Sequence, residues 1–107
     1  MPTFAVAHLR EVRMGPAIVE YLERIDSTLE AFDGHFVVHG DQGEAIEGEW
    51  PGFLIVIEFP NRDQARAWYG SEGYQAILPL RLQNADGEVI LVDTVSADHK
   101  ATDVLKQ

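Results

Sequence analysis

A chain of 107 residues with a net charge of −10 and no cysteine is bounded to one small acidic domain, without disulfides, thiolate nucleophiles or Cys-ligated zinc. Its eight cations (Arg10, Arg13, Arg24, Arg62, Arg66, Arg81, Lys100 and Lys106) form no cluster, which argues against nucleic-acid binding and anionic membranes. Hydrophobic content of 46% separates it from disordered chains and predicts a folded core.

Phe4 to Leu9 reads as a first strand, with Phe4, Val6 and His8 on one face and Ala5, Ala7 and Leu9 on the other. Gly15-Pro16 opens a helix, and Ile18, Leu22, Ile25, Leu29 and Phe32 make its apolar stripe. Gly34 is expected to close it in the left-handed conformation. His35 to His39 is the second strand. A glycine-rich, acidic connection follows from Gly40 to Gly52, in which Ala45-Ile46-Glu47 is expected to add a short edge piece.

Phe53 to Phe59 is apolar at six of seven positions and does not alternate, the pattern of a strand covered on both faces. Pro60 stops it, and Asn61 with Gln64 caps a second helix carrying Ala65, Trp68 and Tyr69. Gly70 to Gly73 breaks that helix. Tyr74, Ile77, Leu78 and Arg81 resume helical spacing, and Pro79 predicts two short turns or a kink. Asp86-Gly87 signals a turn before a fourth strand, Glu88 to Val95. Residues 1–95 thus form the domain, and 96–107 a polar tail.

Strand, helix, strand, strand, helix pair, strand is the split pattern of a ferredoxin-like α+β fold, a four-stranded antiparallel sheet with helices on one side. The helix-free side would then carry apolar residues of the third and fourth strands. A second copy paired by two-fold symmetry would cover them, giving a homodimer with a lined interior.

Val37-Val38-His39-Gly40, Glu44 to Trp50, Ile57-Glu58-Phe59-Pro60, Ala67 to Ser71 and Tyr74-Gln75-Ala76-Ile77 occur in that order. Together they resemble the bacterial domain of unknown function 1330 family, over roughly residues 3 to 95. The resemblance implies a ferredoxin-like subunit within the dimeric α+β barrel superfamily, and no established activity. Relatives in that superfamily include cofactor-free monooxygenases, isomerases, dehydratases and haem-binding enzymes. His39 stands where the family often has arginine, which leaves an inherited anion-binding role there open.

The residues able to carry chemistry are few. His8 shares a face with Phe4 and Val6, where it is either a general base or a core histidine bonded to backbone. Glu58 is the single charge in the most apolar strand. It reads as a catalytic carboxylate or as half of an ion pair, with Arg81 the candidate partner. Arg81 alternatively binds a ligand carboxylate through its planar fork. His39, Trp50, Trp68, Tyr69 and Tyr74 are candidate substrate-binding residues, although Trp68 and Tyr74 at helical positions fit a core better than a pocket wall.

His35 and His39, four apart on a strand, would stand about 13 Å apart at about 3.3 Å per residue, too far for one ion. No metal or cofactor is expected, and no phosphate loop, dinucleotide fingerprint or nucleophile-elbow serine is present. The start Met1-Pro2-Thr3-Phe4 lacks the pattern of a secretory leader, and no apolar run reaches membrane-spanning length, so a cytoplasmic location is expected. Two functions fit. One is a cofactor-independent isomerase, decarboxylase or monooxygenase acting on a small, partly apolar or carboxylate-bearing substrate. The other is a non-catalytic ligand-binding or stress-associated dimer. Fold alone does not choose between them.

Overall fold

The computed structural model describes residues 1–106; the last residue of the expected tail lies outside them. Four strands and three α-helices alternate as β1 (Thr3–Val12), α1 (Pro16–Leu29), β2 (His35–Val38), β3 (Phe53–Phe59), α2 (Arg62–Tyr69), α3 (Glu72–Leu82) and β4 (Ala85–Asp93). Short 3-10 turns follow at Glu30–Phe32 and Ala101–Lys106. The sheet order is β2-β3-β1-β4, antiparallel throughout, which is the ferredoxin-like α+β architecture.

The central strand β1 carries the register of the whole sheet. Ala5 lies between Ile57 and Leu91, and Ala7 between Ile55 and Val89. These residues and Phe59 face the helices, where Phe59, Ile77, Trp68 and Leu29 form the dense part of the core. Phe4, Val6, His8, Leu54, Val56 and Glu58 face the other way. Thr3 is fully buried and gives its hydroxyl proton to Asp93 at 2.7 Å, tying the start of β1 to the end of β4. That hydrogen bond and one from Arg62 hold the Asp93 carboxyl below its usual range.

Within the single chain the helix-free face of β3 is covered only in part, since Leu54 and Glu58 there are half-buried. Ile57 and Phe59 are buried on the helix side, Val56 on the other, and no β3 residue is exposed. On β4, Ile90 and Val92 remain exposed on the helix-free face at 53% and 38%.

Several local expectations give way to tertiary context. The left-handed residue after α1 is Asp33 (φ 56°), not Gly34. Gly34 is needed for space, since a Cβ there would stand 2.6 Å from the Phe59 ring and 2.9 Å from Leu29. The buried stripe of α1 is Ile18, Tyr21, Ile25 and Leu29, so Leu22 is turned away and half-exposed. Helix α3 runs through Pro79 unbroken. Pro79 cannot donate to the Gln75 carbonyl, but both residues lie on the exposed face, where the helix tolerates the missing bond.

Asp86-Gly87 is not a turn. It lies inside β4 opposite Glu11 and Leu9, because β1 extends to Val12 and its backbone groups need ladder partners. Ala45 to Glu47 forms no strand, and Ile46 is 88% exposed. The Asn61 cap is present, its side chain accepting from the Gln64 N–H at 2.9 Å.

Candidate functional site

Helix α1 packs chiefly against α3 and makes few close approaches to the strands. The space left is a cavity of about 200 Å³ between α1 and the helix-facing side of β1, β3 and β4. Its inner surface is made by buried residues, among them Ala5, Ile18, Ile25 and Ile57. Its rim is exposed and carries Met14, Leu22, His39 and Gly40. The stripe residue Leu22 is therefore at a doorway, not in the core.

One polar cluster interrupts the apolar lining. The Tyr21 and Tyr74 hydroxyls hydrogen-bond at 2.7 Å, with the rings edge-on at 6.1 Å. Arg81 lies beside both phenol oxygens and is 7% exposed. Among the described residues no carboxylate comes within 4.0 Å of its guanidinium. Burial works against the Arg81 cation, yet Tyr74 and Tyr21 outweigh it, and its pKa stands above its ordinary range. The site thus holds a permanent, buried positive charge faced by neutral oxygens.

Burial, with Tyr74 adding to it, pushes the Tyr21 phenol pKa up from its ordinary 10.0, and Arg81 pulls back more weakly. Above about pH 10 the unfolded chain releases this proton while the native state keeps it, so rising pH favours unfolding. The slope contributed is about 1.4 kcal/mol per pH unit. Urea midpoints measured from pH 9 to 11.5 should fall more steeply in the native chain than in Tyr21→Phe; equal slopes would contradict the burial of an un-ionised Tyr21.

Trp68 lines the cavity next to Tyr74, with ring centroids 4.1 Å apart, and donates its indole N–H to Thr28 Oγ1 at 2.9 Å. Thr28 in turn donates to the Ile25 carbonyl at 2.7 Å, so the indole fastens α2 onto α1. Tyr69 packs on the outer side of Tyr74 at 5.5 Å and does not line the cavity. His39 stacks on Phe36 at 4.3 Å at the rim.

The other candidates lie on the opposite face of the sheet. His8 Nε2 bonds the Pro51 carbonyl at 2.8 Å, and its ring stacks on Trp50 at 4.2 Å and 11°. This pair fastens the end of the 40–52 loop onto β1. Glu58 does not meet Arg81, correcting the ion pair expected between them. The strand pleat turns Glu58 away from the helices, toward His35, its cross-strand neighbour, at 3.7 Å. His8, Glu58 and Arg81 therefore do not converge.

The structure instead brings together Arg81, Tyr74 and Tyr21, of which Tyr21 was not anticipated. Its signal was present in the sequence: Ile18, Tyr21 and Ile25 follow a three-and-four spacing as regular as the one through Leu22. Among the described residues, no group of three or more His, Asp or Glu side chains is placed to hold a metal ion. No helix is long and apolar enough to cross a membrane.

Solved structures share this architecture. A protein of unknown function from Rhodopseudomonas palustris superposes with a TM-score of 0.68 at 17% identity, over 89% of this chain and 83% of that one. A dimeric ferredoxin-like protein of unknown function from Jannaschia sp. CCS1 gives 0.59 at 7% identity, over 88% and 100%. SnoaB, a cofactor-independent oxygenase from Streptomyces nogalater, gives 0.57 at 11% identity, over 92% and 96%. At these identities the likeness is one of fold. Among curated proteins no sequence matches. The family model for the domain of unknown function DUF1330 matches residues 2–95, all four strands and the three α-helices between them, and the chain belongs to that family.

Proposed function

We propose that the chain binds a small, mostly apolar molecule carrying one anionic group, and that Arg81, with the hydroxyls of Tyr74 and Tyr21, recognises that group. One observation carries the reading: a cation at 7% exposure, with no carboxylate partner among the described residues, set against an apolar cavity. Burying a charge without a counterion costs several kcal/mol, and an anionic occupant would offset that cost. The planar guanidinium suits a carboxylate, a phenolate or an enolate.

The same donors fit a reaction in which negative charge develops on a substrate oxygen. In a catalytic version Arg81 and Tyr74 stabilise that oxyanion and His39, at the rim, accepts a proton. Isomerisation, decarboxylation and cofactor-independent oxygenation all pass through such a species. The fold shared with a cofactor-independent oxygenase supports this version. His8 and Glu58 have structural roles in it, one holding the loop and the other pairing with His35. Trp68 and Tyr74 are walls, while Trp50 and Tyr69 lie outside the cavity.

Titration calorimetry across a panel of apolar carboxylates and the matching uncharged amides tests the binding step. Carboxylates should bind at least tenfold more tightly, and Arg81→Met should erase the difference. Equal affinity for acid and amide would remove the basis for the proposal.

The helix-free face, with Ile90 and Val92 exposed, is in this reading covered by a second copy, as the dimeric description of a structural neighbour supports. Sedimentation velocity should then find twice the 11.9 kDa chain mass, and a stable monomer at micromolar concentration would contradict the pairing.

A further inference from the structure

We infer that the body of the occupant is one flat ring, so that the ligand class is an arene carboxylate and not a fatty acid. This deepens the reading of Arg81 above and rests on it.

The argument starts from the central strand. Toward the helices β1 presents Ala5 and Ala7, while the strands on either side present Ile55 and Ile57, and Val89 and Leu91. Two alanines between four branched residues leave a shallow level trench in the middle of the sheet. Most globular cores would fill such a trench from the facing helix, since voids forfeit contacts on every lining atom. Here α1 makes few close approaches to the strands, and the trench opens into the cavity.

The charged end is framed by aromatic groups, the two phenols and the Trp68 indole, whose rings favour edge and offset contacts with another ring. Volume agrees. A dry cavity of about 150 Å³ takes a benzene ring, and the 200 Å³ here has room for such a ring with its carboxylate. Buried Arg81, with no carboxylate partner among the described residues, is the pointer to the anionic group.

Calorimetry on the full chain with three eight-carbon acids tests this: 4-methylbenzoate, trans-4-methylcyclohexanecarboxylate and octanoate. The two saturated acids are the more hydrophobic, so simple partitioning would favour them. A flat slot should reverse that order, with 4-methylbenzoate bound at least tenfold more tightly than either. Ala7→Leu, which raises the trench floor, should cost 4-methylbenzoate at least tenfold in affinity. If that variant does not fold, the ligand series decides alone. Octanoate or the cyclohexane acid binding as well as the arene overturns the ring and leaves the carboxylate reading standing. 4-Methylbenzamide binding as well as 4-methylbenzoate overturns both.

Discussion

Phe59→Ala should lower the stability of the folded chain by about 3–5 kcal/mol, the range for truncating a fully buried phenylalanine. That is a large share of the roughly 5–15 kcal/mol typical of a domain. Phe59 has no exposed surface, packs against Trp68 with centroids 5.3 Å apart, and lies where a Cβ on Gly34 would collide with its ring. It therefore clamps together the end of β3, the exit from α1 and the last turn of α2. Collapse around the missing ring is hindered, because Gly34 is backbone and Trp68 is held by its bond to Thr28. Urea unfolding followed by tryptophan fluorescence measures the loss. A change below about 1.5 kcal/mol would mean that the site collapses freely, and that Phe59 is not the keystone described.

Arg81→Met should act in the opposite direction on the ligand-free chain. Methionine keeps the unbranched stem and helix propensity while removing both a charge that burial disfavours and its contacts with the Tyr74 and Tyr21 hydroxyls. The Tyr21 and Tyr74 hydroxyls still satisfy one another at 2.7 Å. Replacing buried ion pairs by apolar side chains is often neutral or stabilising by about 1–4 kcal/mol; here the contacts of Arg81 with Tyr74 and Tyr21 are lost as well, so a gain at the low end, about 1 kcal/mol, is expected. Thermal unfolding without ligand measures it. Destabilisation by more than about 1 kcal/mol would show that Arg81 is held for packing, and would weaken its reading as a recognition group. Stability sacrificed at a binding residue is a common pattern in natural proteins.

The parts of this structure legible in the sequence are those decided locally. The order of elements, β3 as a strand from Phe53 to Phe59, the start of α1 at Pro16 and the Asn61 cap each depend on a few neighbouring residues. What was not legible depends on the opposite layer. Asp86-Gly87 reads as a turn until β1 is long enough to pair with it. Leu22 and Tyr21 compete for the same stripe, and the choice falls to the hydrogen bond with Tyr74, which is 53 residues away.

The candidate site divides along the same line. Arg81, Trp68 and Tyr74 were identifiable as residue types, but their convergence with Tyr21 needs the packing of α1 on α3. Glu58 and Arg81 were matched by charge alone, and one pleat of β3 puts them on opposite sides of a sheet. His8 looked isolated until the 40–52 loop folded back to it.

That loop is pinned at both ends. His39 stacks on Phe36 at its start, and at its finish Trp50 and Pro51 lie on His8, while Gly52 takes a positive φ of 84° where any Cβ would run into the Leu9 carbonyl. Between these anchors residues 41 to 49 are all exposed. Length can therefore vary there without disturbing strand alignment, since doubling a tether whose ends are already fixed costs only about 0.6 kcal/mol. Residues 43 to 48 are accordingly the natural splice point for an epitope or a fluorescent reporter.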